Sequence, residues 1–171
     1  PLRIYARVMG RIIRKRAYRF VVHSEHDRQL ISSHYRIESS LITVIPLGLF
    51  DHYPVMDKEQ CKLKLGLEGK YLLLFFGLLR PYKGVSQLVK AFENLSPSIL
   101  EDTVLIIAGE SWEDQESVNL IKNSPVSDRI VLVNRYVSDE DTPVFFSAAD
   151  LLVLPYTRAS QSGVAHIGIA Y

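Results

Sequence analysis

Beyond Lys70 the chain alternates between two kinds of apolar pattern. Runs that are apolar at almost every position lie at 71–76, 103–108, 129–133 and 150–154, and between them apolar residues recur at three- and four-residue spacing. Val85, Leu88, Val89 and Phe92 follow the i, i+3, i+4, i+7 rule and predict a helix after the first run. Ser138 and Asp141 make a capping pattern ahead of another. A run that is apolar throughout, and not at every second residue, predicts a strand buried on both faces. The βαβα alternation therefore predicts an α/β fold, a doubly wound parallel sheet with helices on either side.

The first third is patterned differently. Arg3, Arg7, Arg11 and Arg14 recur at three and four residues and share one predicted helix face, with Ile4, Val8, Ile12 and Ile13 marking another. Tyr18 to His23 then reads as a strand, Ser24 to Asp27 opens a helix with a capping box, and Leu41 to Pro46 reads as a second strand. Gly48 to Pro54 carries turn residues and a proline, which suits a linker, and Asp57 to Leu65 reads as a short helix stopped by Gly66.

Charge changes this picture at one end only. The net charge of the 171 residues is +1, yet Arg3, Arg7, Arg11, Arg14, Lys15, Arg16 and Arg19 all precede the first acid, Glu25, so the remainder is mildly acidic. The favoured reading of the basic helix is a surface helix alongside another domain; the alternative is peripheral contact with anionic lipid headgroups. Nucleic acid is not an expected partner, because no aromatic interleaving or known module accompanies the cations. With 47% apolar and 23% charged residues the chain has a globular composition. No apolar run approaches the roughly 18 residues of a membrane span, and no signal-peptide pattern opens the sequence. A cytoplasmic protein is expected, at the inner face of the membrane if the basic helix meets lipid. Cys61 stands alone on a predicted surface helix among lysines, which excludes an internal disulfide, and His23, His26, His34, His52 and His166 lack metal-ligand spacing.

In an open parallel sheet, ligands bind outside the carboxyl ends of the strands. Four such ends carry candidate chemistry: Gly77 to Gly84, Gly109 to Ser111, Asn134 to Val137, and Pro155 to Gly163. Arg80 and Lys83, set between two glycines, point to a bound anion, and Ser162 and Gly163 would offer backbone N–H groups at a helix start. The site is not a P-loop or a dinucleotide fingerprint, because neither glycine pattern occurs.

The ordered landmarks Val44-Ile45-Pro46-Leu47-Gly48, Phe76 to Gly84, Ala108-Gly109 and Ala148 to Pro155 resemble those of GT-B fold glycosyltransferases of the family 4 (glycosyl transferase group 1) type, over nearly the whole chain. The resemblance implies Rossmann-like domains, incomplete at both ends: residues 1–50 as the tail of an acceptor domain, 51–56 as linker, and 57–171 as most of the nucleotide-sugar-binding domain. It implies a retaining transfer from a UDP-sugar or GDP-sugar to an acceptor hydroxyl on a glycan, a lipid-linked sugar or a small molecule, with no cofactor and no metal. In that mechanism the leaving phosphate oxygen helps to deprotonate the acceptor. Arg80 and Lys83 take the catalytic part by holding the diphosphate. Gly77, Gly109, Glu110, Tyr136, Val137, Ser160, Ser162, Gly163 and Val164 form the donor site, with backbone groups of Tyr136 and Val137 reading the base. Of the histidines, His166 alone lies near this loop, and Trp112 and Tyr82 are placed to pack or to stack. The chain departs from the family pattern where many relatives carry two glutamates: Ser160 takes the first position, and Ile167 or Gly168 the second. That departure supports a second reading, a binding module for nucleotides or sugar nucleotides that catalyses nothing. A receiver-like domain is disfavoured, because no strand end supplies an acidic cluster.

Overall fold

The computed structural model describes residues 2–159 and 161–171, with the side chains of residues 2–4, 6 and 7 outside the description. The chain divides into two compact units, one ending at Gly48 and the other spanning Leu49–Tyr171.

The first unit contains helix α1 (Leu2–Arg16), strand β1 (Phe20–Val22), helix α2 (Glu25–Tyr35) and strand β2 (Ile42–Val44). The two strands pair in parallel, Phe20 opposite Ile42, over a small core of Val22, Ile37 and Ile42. Ser24 caps α2, its Oγ accepting from the Asp27 amide at 3.0 Å, as its capping pattern requires. Both strands are shorter than their apolar runs, because strand geometry persists only where a neighbour accepts its hydrogen bonds. In α1 the expected division of faces shifts. Arg14 turns in to donate to the Tyr35 carbonyl at 3.2 Å, while Val8 and Ile12 stay half exposed.

The second unit is a four-stranded parallel sheet in the order β5-β4-β3-β6, formed by β3 (Tyr71–Phe76), β4 (Thr103–Ala108), β5 (Ile130–Val133) and β6 (Leu151–Leu152). Helices α3 (Lys58–Leu65), α4 (Val85–Glu93), α5 (Pro97–Leu100), α6 (Gln115–Asn123), α7 (Thr142–Ala148) and α8 (Gly163–Ala170) connect or flank these strands. β3 and β4 run in register from Tyr71 opposite Thr103 to Phe76 opposite Ala108, and every residue of β4 is buried. Alternate side chains go to opposite faces. Leu72, Leu74, Val104 and Ile106 join one core with α3, α7 and α8, whereas Phe75, Leu105 and Ile107 join another with α4 and α6. Val85, Leu88, Val89 and Phe92 are buried in that second core. The doubly wound, Rossmann-like parallel sheet expected from the apolar runs is the fold observed. The winding proceeds outward from β3 through β4 to β5, then reverses, so that β6 lies on the other side of β3.

The β3–β6 junction rests on a partly buried charge cluster. The Asp150 amide donates to the Leu72 carbonyl at 2.9 Å, and its Oδ2 accepts from the Leu72 amide at 2.8 Å and from Lys62 Nζ at 2.7 Å. Its Oδ1 accepts from Lys58 Nζ at 2.9 Å. Burial by itself raises the Asp150 carboxyl, but the hydrogen bonds from Lys62, the Leu72 amide and Lys58 outweigh it and hold the group below its ordinary value.

This packing corrects the expectation for Cys61. It is fully buried and belongs to the core with Leu72 and Leu74, and burial pushes its thiol up. The helix has three lysines, yet it turns Cys61 and Lys62 inward and leaves Leu63 60% exposed. Lys62 can occupy the interior because Asp150 neutralises it and the Lys70 carbonyl accepts a further hydrogen bond at 2.8 Å.

Candidate active site at the sheet reversal

Where a doubly wound sheet reverses, the loops leaving neighbouring strands part and open a crevice. Here those loops follow β3 and β6. The β3 loop begins at Gly77 (φ 113°), whose amide donates to the Ala108 carbonyl at 2.9 Å. On the adjacent strand Gly109 (φ 150°) lies so close that a β-carbon there would overlap the Gly77 carbonyl. The Leu79 amide then donates to the Glu110 carbonyl, and the Trp112 amide donates to the Leu79 carbonyl, both at 2.9 Å. Asn134 Oδ1, after β5, accepts from the Ser111 amide at 2.8 Å. Three strand ends are thus stitched edge to edge.

A 3₁₀ turn over Pro81–Lys83 carries the β3 loop into Gly84 (φ 73°), the residue preceding α4. A β-carbon on Gly84 would overlap the Pro155 carbonyl. The Tyr82 carbonyl accepts from both the Thr157 amide, at 2.9 Å, and Thr157 Oγ1, at 3.1 Å. The loops after β3 and β6 are therefore held together by backbone contact.

The two cations of the β3 loop are carried on aromatic faces. The Arg80 guanidinium carbon lies 5.1 Å from the Trp112 ring centroid, and Lys83 Nζ lies 3.8 Å from that of Tyr156. Neither side chain makes an ion pair among the described residues. A cation on an aromatic ring gains about 0.5–2 kcal/mol, less than a charge-assisted hydrogen bond gives, so both groups are positioned while their donors remain available. Beyond Tyr156, Ser162 Oγ donates to the Tyr156 hydroxyl at 3.4 Å and accepts from the Ala165 amide at 3.3 Å as the cap of α8. Gly163 opens that helix. A β-carbon there would meet the Phe50 ring only at an ordinary 3.5 Å, so the protein's own packing does not demand glycine. Val164 points inward, its Cγ2 against Gly77, and works as a spacer between α8 and the β3 loop.

Beside the cations an apolar hollow of about 280 Å³ opens between Phe76, Gly77, Gly109, Glu110, Tyr136 and Val137. Val137 is buried and fixes its floor, whereas Tyr136 is 70% exposed. Arg135 is occupied elsewhere, donating to Asp141 at 2.9 Å and to the Tyr136 carbonyl at 3.1 Å. His166 follows Ser162 by one turn of α8, its amide donating to the Ser162 carbonyl at 3.3 Å. Its Nδ1 is buried with no hydrogen-bond partner among the described residues. Ile167 is buried in the core, and Gly168 lies against Leu152, so both candidate positions for the second carboxylate face the sheet. Ser160 lies outside the described residues.

The sequence carries the pattern of the glycosyl transferases group 1 over residues 57–171, the stretch that holds every element of this site. The chain belongs to that family. Among relatives of the group 1 chain, mannosylfructose-phosphate synthase of Agrobacterium fabrum is 32% identical over 131 residues, covering 70% of this chain and 28% of that protein. An uncharacterised glycosyltransferase of Methanocaldococcus jannaschii is 26% identical over 159 residues, covering 93% of this chain and 39% of that one. The chain thus spans well under half the length of either relative. The fold recurs in WaaG, a glycosyltransferase involved in lipopolysaccharide biosynthesis (TM-score 0.76, 21% identity, 88% of this chain and 41% of that one). It recurs also in Anabaena HepE in complex with UDP and glucose (TM-score 0.71, 19% identity, 85% and 40%).

The structure brings together Gly77, Arg80, Lys83, Gly109, Glu110, Tyr136, Val137, Ser162, Gly163 and Val164 along one edge of this group 1 domain. Tyr156 and Thr157 were missed as site residues. Their sequence signal was slight: an aromatic and a hydroxyl directly after Pro155, without the charge or glycine pattern that marks an anion-binding loop.

Proposed function

We propose that residues 57–171 form the donor-binding domain of a retaining glycosyltransferase of the family 4 kind, which moves a sugar from a nucleoside diphosphate to an acceptor hydroxyl. The observation that carries this reading is the pair of aromatic-backed cations, Arg80 and Lys83, without an ion pair among the described residues and set beside the start of α8. A departing nucleoside diphosphate gains negative charge as the glycosidic bond breaks. Cations and helix amides already in place stabilise that charge without reorganisation. Two side-chain cations supply the neutralisation that a divalent ion would otherwise provide, so the reaction proceeds without a metal. The leaving phosphate oxygen takes the acceptor proton on the face from which it departs, and the sugar keeps its configuration.

The hollow floored by Val137 suits a nucleobase, flat and apolar on its faces, with backbone groups of Tyr136 and Val137 at its rim. HepE, which has this fold, was solved with UDP-glucose, which supports a UDP-sugar as the first donor to test. GDP-sugars are the second. The acceptor is a glycan, a lipid-linked sugar or a small molecule, and residues 1–50 are the tail of the acceptor domain. The binding-module reading draws on the two absent carboxylates, the first at Ser160 and the second at Ile167 or Gly168. Titration of the full-length protein with UDP and GDP, followed by product analysis by NMR, separates the two. Nucleotide binding with an α-configured product from an α-configured donor is expected; binding with no transfer to any acceptor would favour the module, and an inverted product would refute retention.

A further inference from the structure

The site described above uses the ring of Tyr156 and leaves its hydroxyl. The loops after β3 and β6 run side by side in a fixed register. Thr157 donates to the Tyr82 carbonyl through both its amide, at 2.9 Å, and its Oγ1, at 3.1 Å, while Gly84 lies against the Pro155 carbonyl. Lys83, between Tyr82 and Gly84, is therefore set opposite Tyr156, and its Nζ stands 3.8 Å from the ring centroid. The ring also packs against the core shared with α4 and α6, which fixes where the phenol oxygen lies.

A hydroxyl has one proton to give and two lone pairs to receive with. Ser162 Oγ accepts from the Ala165 amide at 3.3 Å and directs its proton to the Tyr156 hydroxyl at 3.4 Å. The phenol is the acceptor in that pair, and its own proton has no acceptor among the described residues. The amides of Gly163 and Val164, the first two of α8, make no hydrogen bond among the described residues either. An ammonium, a phenol O–H and two helix amides thus lie together as donors without an acceptor. Their complement carries negative charge and several oxygens, as a phosphate does and a carbonyl does not.

On the reading of this site as the holder of a nucleoside diphosphate, on which the inference rests, we propose that Tyr156 is a third side-chain ligand of the diphosphate beside Arg80 and Lys83. Its hydroxyl donates to the phosphate farthest from the base, the one that leaves the sugar. Strand order decides which phosphate it meets. The apolar hollow lies at the ends of β3 and β4 and beside the loop after β5, whereas Tyr156 follows β6, on the other side of β3. Ser162 acts through Tyr156, turning the phenol proton away from the helix cap and toward the ligand.

Calorimetric titration of the full-length protein with UDP, UMP, GDP and GMP tests this. The parent should bind the diphosphate of its preferred base more tightly than the monophosphate. Tyr156→Phe keeps the ring under Lys83 and should lose about threefold in affinity for the diphosphate and nothing for the monophosphate. Adding Tyr156→Phe to a Ser162→Ala protein should bring the same loss, because the phenol touches the phosphate and does not act only through the cap of α8. Three results would overturn the proposal and leave the donor-site reading standing: undiminished diphosphate affinity in Tyr156→Phe, an equal loss for both nucleotides, or a loss that vanishes in the Ser162→Ala background. A parent with no preference for diphosphate over monophosphate would overturn the donor-site reading together with it.

Discussion

Arg80 and Lys83 are steadied by rings and not by carboxylates, and this determines what each can do. A carboxylate partner would neutralise the cation and compete with an incoming phosphate; Trp112 and Tyr156 do neither. Replacing Tyr156 with leucine should therefore leave the fold intact but free the Lys83 ammonium, and nucleotide affinity measured by titration should fall by about three- to tenfold. The glycines of the same loop answer to a different constraint. Gly84→Ala and Gly109→Ala both force a β-carbon onto a backbone carbonyl from a positive φ, so each should cost more than about 1 kcal/mol in chemical denaturation. Gly163→Ala meets no such obstacle and should be neutral for stability, so any loss of nucleotide affinity in it reports ligand approach alone. The cations and their bounding glycines were legible as residue types, and Trp112 as a ring placed to pack or to stack; that Trp112 carries Arg80 and Tyr156 carries Lys83 was not, because the rings come from loops more than 30 and 70 positions away in the chain.

Among the elements, α3 is where pattern and structure disagree most. Its sequence Lys58–Leu65 shows no apolar stripe, and only the tertiary partner Asp150 explains why Cys61 and Lys62 face inward while Leu63 faces out. Two predictions follow from this arrangement. Cys61 in the native protein should resist thiol reagents and react fully only after unfolding, which a labelling time course under native and denaturing conditions checks. Asp150→Asn leaves the Lys62 ammonium buried without a counter-charge and should destabilise by about 3–5 kcal/mol. The pH dependence has a definite sign. The Asp150 carboxyl titrates lower in the folded protein than its unfolded value of about 3.9. Its stabilisation is thus present above that pH and lost as pH falls through the folded value. Acid denaturation curves of Asp150→Asn should lack this component. The strands of the sheet were legible because their runs are apolar at almost every position, although only β4 is buried throughout and Val131 and Leu151 stay exposed. Their ends were less so, since β6 keeps strand geometry for two residues only, where β3 offers it a partner.

At the scale of the molecule, two units with separate cores carry the chain, and each has its own surface chemistry. The first unit carries a basic, half-apolar helix; the second carries a cation pair at the reversal of its sheet. Strand order was beyond the reach of the sequence, because apolar runs do not state which neighbour each strand takes; the return of β6 to β3 is what joins the Gly77–Gly84 loop to the loop ending at Ser162. No helix among the described residues is long and apolar enough to cross a membrane. In the proposed function Arg80 and Lys83, set at the sheet reversal, hold a leaving diphosphate. The most direct test is the single-turnover rate of sugar transfer by full-length Arg80→Ala and Lys83→Ala proteins at saturating donor. Loss of one charge-assisted hydrogen bond at about 1.5–3 kcal/mol predicts a rate lower by roughly one to two orders of magnitude in each; parental rates with unchanged donor affinity would contradict it.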